Sequence, residues 1–477
     1  MLLLQLARKA LAIELAAIPR EALDAARLAL LDTVGVTLAG SDEACVGAVA
    51  AASDIAATGP ASRFGRSAMT GMLDAALVNG TAAHALDFDD CSNTMGGHPS
   101  APILPALWAL AEARGASGAQ VLAAYVTGFE VETKIGRAVN FTHYEKGWHP
   151  TATLGTFGAA AACARLIGLD AAGTANALAL AASMAAGIKA NFGTMTKPFH
   201  VGQCARNGLH AALLTEAGLT ANAGALEHPQ GFFMVFNGAG NFRPEAILDG
   251  FAAPFDLVEP GVAFKRHPCC ASTHPALDAL MEIMAREGLG AADIAHIRSW
   301  THPRRLRHTD RPDPRSGLDG KFSVQYVLAR AALEGSVRTD HFTDAAVRDP
   351  AVRAFMTRIA AAPHPEAVME TTQHFFADVR VETHDGRVFD AHVDMPLGRD
   401  AAHPLPPGAL ETKFFDCART VLSDVAARTI ADAMLRIDTL PDIRSIGATM
   451  RGGLVVPSPR AAAPRRDDTQ DDRTAAE

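Results

Sequence analysis

The stretch FFADVRVETHDGRVFDAHV, residues 375–393, decides the fold class. Apolar and polar residues alternate with period two on both sides of Asp385-Gly386. An Asp-Gly pair between two alternating runs is a strong hairpin signature, because both residues tolerate the positive φ that tight hairpin turns need. A lone hairpin is marginal in water and needs further strands or helices against its apolar face. The sequence supplies them nearby. Ala295 to Thr301 has β-branched and aromatic strand content, and Thr273 to Arg286 and Ser323 to Gly335 have helical periodicity. Residues 265–395 therefore read as a smaller α+β domain.

Outward from that region the pattern is helical. Helices are predicted over Ile18 to Leu38, Gly71 to Leu86, Ala101 to Arg114, Gly118 to Val139 and Thr151 to Leu166. Two more follow over Ala171 to Lys189 and Pro198 to Ala217, with almost no strand signal through Phe255. Gly115 and Gly168 sit where C-terminal caps belong. Helical pattern resumes from Ala409 to Met434. The fold class is mainly α, with 1–264 and 396–455 as a helical domain and 265–395 as the α+β domain. Residues 456–477 are rich in Pro, Arg, Asp and Ala without an apolar face, and are predicted to be a disordered tail. No repeats and no coiled-coil heptads are found.

Of 477 residues, 49% are hydrophobic, 20% charged and 6% aromatic, a soluble globular balance in which alanine favours helix. A net charge of −9 leaves no basic stripe for nucleic acid. No apolar run is long enough for a membrane span. The N-terminal apolar stretch is interrupted by Arg8, Lys9 and Glu14, and reads as an amphipathic helix rather than a signal peptide. Seven cysteines lack C-x-x-C spacing, which fits a reducing cytoplasm better than a disulfide or zinc framework. Dinucleotide, P-loop, metalloprotease and nucleophile-elbow motifs are all missing, so no cofactor is implied.

The positive signal is His-Pro. It occurs eight times, at His98, His149, His228, His267, His274, His302, His364 and His403. With 18 His and 27 Pro in 477 residues, chance gives about one such pair. Proline suits the first turn of a helix. A basic side chain just before it sits beside free N–H groups and the positive end of the dipole, which together attract anions. His98, His149 and Lys197 (before Pro198) share this design in Gly- and Thr-rich contexts. For any single pair, a histidine that only caps a turn is the simpler explanation. A dense polar segment, Lys265 to His274, joins the two predicted domains, where ligand clefts are common. There Lys265 can hold a carboxylate or, if desolvated, act as a base, and Cys270 can exchange a proton. Asp87, Asp89 and Asp90 precede His98. An aspartate can fix an imidazole tautomer, or the run can be a solvated turn. A divalent metal is a third use of such a run, but no matching carboxylate cluster occurs elsewhere, so no metal is predicted.

Six segments carry a family resemblance: 79–90 (NGTAAHALDFDD), 98–105 (HPSAPILP), 147–151 (GWHPT), 191–200 (NFGTMTKPFH), 265–274 (KRHPCCASTH) and 319–326 (DGKFSVQY). In this order they resemble the MmgE/PrpD family, whose members include 2-methylcitrate dehydratase, cis-aconitate decarboxylase and iminodisuccinate epimerase. The resemblance implies a large discontinuous all-helical domain, a smaller α+β lid domain, a homodimer and an active site in the cleft between the domains. It implies cofactor-free chemistry on small di- or tricarboxylic acids. Carried over, the pocket holds Asp87, His98, His149, Lys197, Lys265 and Tyr326, with Cys91, Cys270 and His274 beside them. Two departures stand out. The dehydratases and decarboxylases have a His where this chain has Cys270, and the decarboxylases have a Thr where it has Cys91.

The implied chemistry abstracts a proton next to a carboxylate. Lys197, Lys265 and His149 are the candidates to steady the enediolate, His98 or Cys270 the base, and Tyr326 an acid for a leaving hydroxyl. A thiol and an imidazole on opposite faces favour an iminodisuccinate-epimerase-like activity. The alternatives are a 2-methylcitrate-dehydratase-like or cis-aconitate-decarboxylase-like lyase, and an inactive carboxylate-binding homologue.

Overall fold

Small residues let the helices of this protein approach closely, and that closeness places the site. The computed structural model describes residues 1–53, 58–367 and 374–455. The chain begins with α1 (Leu2–Leu11), α2 (Arg20–Gly40), α3 (Ala44–Ala52), α4 (Met72–Ala85), α5 (Ser100–Arg114) and α6 (Gly118–Val139). It continues with α7 (Thr142–Glu145), α8 (Pro150–Ile167), α9 (Ala171–Met184) and α10 (Thr196–Glu216). α10 packs against both α4 and α8. A Cβ on Gly202 of α10 would lie 2.2 Å from the Leu77 carbonyl oxygen of α4, and one on Gly208 would lie 2.5 Å from Ala159 of α8. Larger side chains there would push the helices apart.

Two antiparallel two-residue ladders interrupt the helices. β1 (Ala61–Ser62) pairs with β2 (Met69–Thr70), and β3 (Cys91–Ser92) pairs with β4 (Val262–Ala263). After α11 (Phe232–Asn237), α12 (His274–Glu287), α13 (Pro303–Thr309), α14 (Gly317–Gly320) and α15 (Val324–Glu334) accompany a four-stranded sheet. Its strands are β5 (Ile294–Thr301), β6 (Ile359–Pro363), β7 (Ala377–Thr383) and β8 (Val388–Val393), in the order β6-β5-β7-β8. The hairpin read from residues 375–393 is β7–β8, with Val379 opposite Ala391. β5 is antiparallel to β7 and parallel to β6.

One hydrophobic core draws on residues between Leu3 and Val262 and returns to Phe414 through Met450. A second runs from Cys269 to Val381 and joins the sheet to α12 and α15 through Leu277, Leu280, Val327, Ile297 and Val379.

Three elements differ from the sequence-based expectation. The helix expected over Ala171 to Lys189 stops at Met184, because Ala185 is extended and Gly187 takes φ +123°. The run Ala409 to Met434 is two helices, Ala409–Ala418 and Asp424–Met434, and the Ser423 side chain caps the second by accepting from Ala426 N. Strand β6 has no clear sequence signal, since its Ala-Ala-Ala centre favours helix. The predicted disordered tail, 456–477, lies outside the described residues. Among those described, no helix is long and apolar enough to cross a membrane, and all seven cysteines are free thiols.

Candidate active site

The site is built around the end of α4. Asp87 has φ +51°, a left-handed conformation uncommon for a residue with a Cβ, and lysines hold the backbone on either side of it. Lys321 donates to the Leu86 carbonyl. Lys265 Nζ donates to the Asp87 carbonyl at 2.6 Å, and Lys413 Nζ to that of Phe88 at 2.6 Å. The Asp87 side chain takes Lys197 Nζ at 2.6 Å and Lys265 Nζ at 3.1 Å. Burial opposes charge on Asp87, but Lys197, Lys265 and His98 outweigh it and hold the carboxyl well below its usual range. Lys265 gets there because the β3–β4 ladder lays Ala263 beside Cys91. Its own burial penalty is overcome by Asp87, which raises its pKa.

Asp89 holds two imidazoles. Its Oδ2 lies 2.8 Å from His84 Nδ1 and 3.2 Å from His98 Nδ1. Burial works against an imidazolium at His98, yet Asp89 and the neighbouring Cys91 raise its pKa to about 10. His84, deeper still, is lowered to about 3, chiefly by burial, and donates to Asp89 as a neutral ring. Cys91 Sγ lies 3.7 Å from His98 Nδ1. Burial raises its pKa, but His98 and Lys265 pull it down to about 7. Asp90 accepts from the Ser100 amide and hydroxyl and so ties down the start of α5, just after His98-Pro99. All three aspartates are buried, so the acidic run is not a solvated turn.

His149 is the N-cap of α8, with Pro150 in the first turn, as the His-Pro argument expects. Its ring lies 3.3 Å, Nδ1 to Nδ1, from His200, and burial keeps it neutral. Its Nε2 is buried without a hydrogen-bond partner. Lys197 occupies the first turn of α10.

These groups share a cavity of about 300 Å³, lined by Asp87, Cys91, His98, His149, Lys197, Lys265 and Cys270. That volume suits a small organic acid. Two expected residues are not in the lining. The Tyr326 hydroxyl donates to the His341 carbonyl and accepts from Arg330 Nε at 3.0 Å, so it braces α15 rather than facing the cavity. His274 opens α12 with its ring 5.2 Å from that of His267, inside the smaller core region. Of the remaining His-Pro pairs, His228, His302 and His364 accept the backbone N–H two residues on, and His364 also lies 2.6 Å from Asp378.

His84, Asp87, Asp89 and His98 place ligand atoms within 4.8 Å of one another, close enough to be tested as a metal site. Two ammonium groups already contact Asp87, and a divalent ion there would meet both charges. The charge balance favours an anion in the cavity.

His84, Lys321 and Lys413, which support the site, and Tyr144, Arg305 and Arg399, which line it, are not among the residues expected from the sequence. His84 lay inside an Ala-rich helix, and Lys321 and Lys413 act on backbone that folds to them from far away. Arg305 does carry a sequence signal: His302-Pro303 opens α13, the same basic-before-helix design.

The chain matches the MmgE/PrpD N-terminal domain over residues 4–245 and the MmgE/PrpD C-terminal domain over 267–439. It is 31% identical over 401 residues to human cis-aconitate decarboxylase, covering 82% of this chain and 80% of that one. It is 27% identical over 395 residues to cis-aconitate decarboxylase of Aspergillus terreus, covering 78% and 80%. Two matched domains spanning most of the chain, and relatives aligned over most of their length, show that it belongs to the MmgE/PrpD family.

Proposed function

We propose that this protein is a lyase that decarboxylates a small unsaturated tricarboxylic acid of the cis-aconitate type. The names of its relatives support a lyase. The observation that carries the reading is His98: an imidazolium kept charged by Asp89 at the wall of a cavity that also holds two lysines. Decarboxylation needs those two features. When the carbon–carbon bond to the departing carboxylate breaks, its electron pair passes into an allylic carbanion conjugated with a remaining carboxylate. Lys197 and Lys265 supply positive charge where that negative charge develops. The His98 imidazolium then gives its proton to carbon, leaving CO₂ and a methylene-dicarboxylic acid. Solvent reprotonates His98.

A second reading is an epimerase of the iminodisuccinate type, favoured by the cavity thiols Cys91 and Cys270. In it a thiolate and an imidazolium exchange protons on one carbon with no bond to carbon lost. Proton NMR in D₂O separates the two. Incubated with cis-aconitate, the protein is expected to release CO₂ and place one deuterium in the product. Exchange of an α-hydrogen in iminodisuccinate, with no CO₂ from cis-aconitate, would replace the lyase with the epimerase.

A further inference from the structure

The cavity lining also carries two arginines that the chemistry above does not use. Arg305 enters from the first turn of α13, and Arg399 from the loop after β8. Both stack on Phe375, their guanidinium carbons 3.8 and 3.7 Å from the ring centroid. Arg399 is only 9% exposed, and the Nε of each arginine is buried without a hydrogen-bond partner. Among the described residues, neither forms an ion pair with a carboxylate, although their neighbour Arg304 pairs with Glu145. The acidic group close enough to hydrogen-bond Arg399 is the Cys91 thiol. Two like charges brought together out of water, with no carboxylate paired to either, are costly unless a ligand completes them. A guanidinium held flat on an aromatic ring keeps its N–H edge free for the fork-like pairing that carboxylates accept.

We propose that Arg305 and Arg399, fixed by Phe375, form a second carboxylate subsite, for an acid group other than the one held by Lys197 and Lys265. One carboxylate lies toward Lys197 and Lys265, the other toward the arginine pair. This rests on the proposal that the cavity binds small carboxylic acids, but not on which bond is broken.

The test is calorimetric binding of tricarballylate, a saturated tricarboxylate that cannot decarboxylate by the allylic route, against butyrate. Wild type, Arg305→Met, Arg399→Met and Arg399→Lys are compared, with circular dichroism melting to verify folding. The wild type is expected to prefer tricarballylate. Each Met variant should bind it about 10- to 100-fold more weakly, and Arg399→Lys should fall between, since it keeps the charge and loses the fork. Folded Met variants that bind tricarballylate within about twofold of wild type would overturn the subsite. So would a wild type that binds it no better than butyrate. Failure to release CO₂ from cis-aconitate would remove the lyase reading and leave this binding result standing.

Discussion

Asp89 and His98 show how one carboxylate sets the chemistry of its neighbours. His98 is pushed down by burial and up by Asp89 and Cys91, with the net result about 10. A group whose folded pKa is raised stays protonated until the pH rises through that value. If His98 is the acid, turnover should persist through pH 8 and 9 and fall as the pH approaches about 10. Asp89→Asn removes the largest opposing influence to burial, so the alkaline limb of its kcat profile should shift down by about one pH unit or more. An unshifted limb would assign the proton to another group. Lys197→Ala should lower kcat/KM by about 100-fold or more with a wild-type circular dichroism spectrum, because Asp87 retains Lys265. Full activity would remove Lys197 from the chemistry. Much of this was legible: His98, His149, Lys197 and Lys265 were marked by Pro or by a polar cluster. Tyr326 was misplaced because a motif match does not reveal which way a buried hydroxyl points.

Helices and ladders bring these side chains together. α4 delivers Asp87 and α10 delivers Lys197, and the two helices touch where Gly80 and Gly202 lack side chains. Gly202→Ala should destabilise the protein by about 1–3 kcal/mol in urea unfolding. It should also reduce activity beyond that loss, because parting the helices moves Lys197 from Asp87. A variant with unchanged stability would show that the contact is slack. The β7–β8 hairpin was readable because period-two alternation flanks Asp385-Gly386. β6 was not, since its alanines have no strand preference and its place is set by pairing with β5. The β3–β4 ladder was equally hidden: it pairs Cys91 with Ala263, and two-residue segments carry no periodicity.

At the scale of the whole molecule, a buried core surrounds groups that ionise only at a cost. Glu132 of α6 lies fully buried, with both side-chain oxygens lacking hydrogen-bond partners and its pKa raised well above normal, first by burial and then by Asp90. A carboxyl raised in the fold binds its proton more tightly in the native state than in the unfolded one. Its contribution to stability is therefore full below the unfolded pKa and declines as pH rises above it. Glu132→Gln lacks that titration. Its stability relative to wild type should improve between pH 5 and 8, by at most about 1.4 kcal/mol per pH unit, measured by denaturant unfolding. A constant difference across that range would show that Glu132 ionises normally. The mainly helical class and the family were legible because they rest on periodicity and ordered motifs. The lysines on the carbonyls of Leu86, Asp87 and Phe88, and the arginine pair on Phe375, come together only in three dimensions. The central claim is that the cavity presents a charged His98 to a bound carboxylic acid. It is tested most directly by NMR of protein with isotope-labelled histidine, using His98→Gln to assign the ring. The account predicts an imidazolium at pH 8 whose titration moves to lower pH in Asp89→Asn; a neutral His98 ring at pH 8 in the wild type would contradict it.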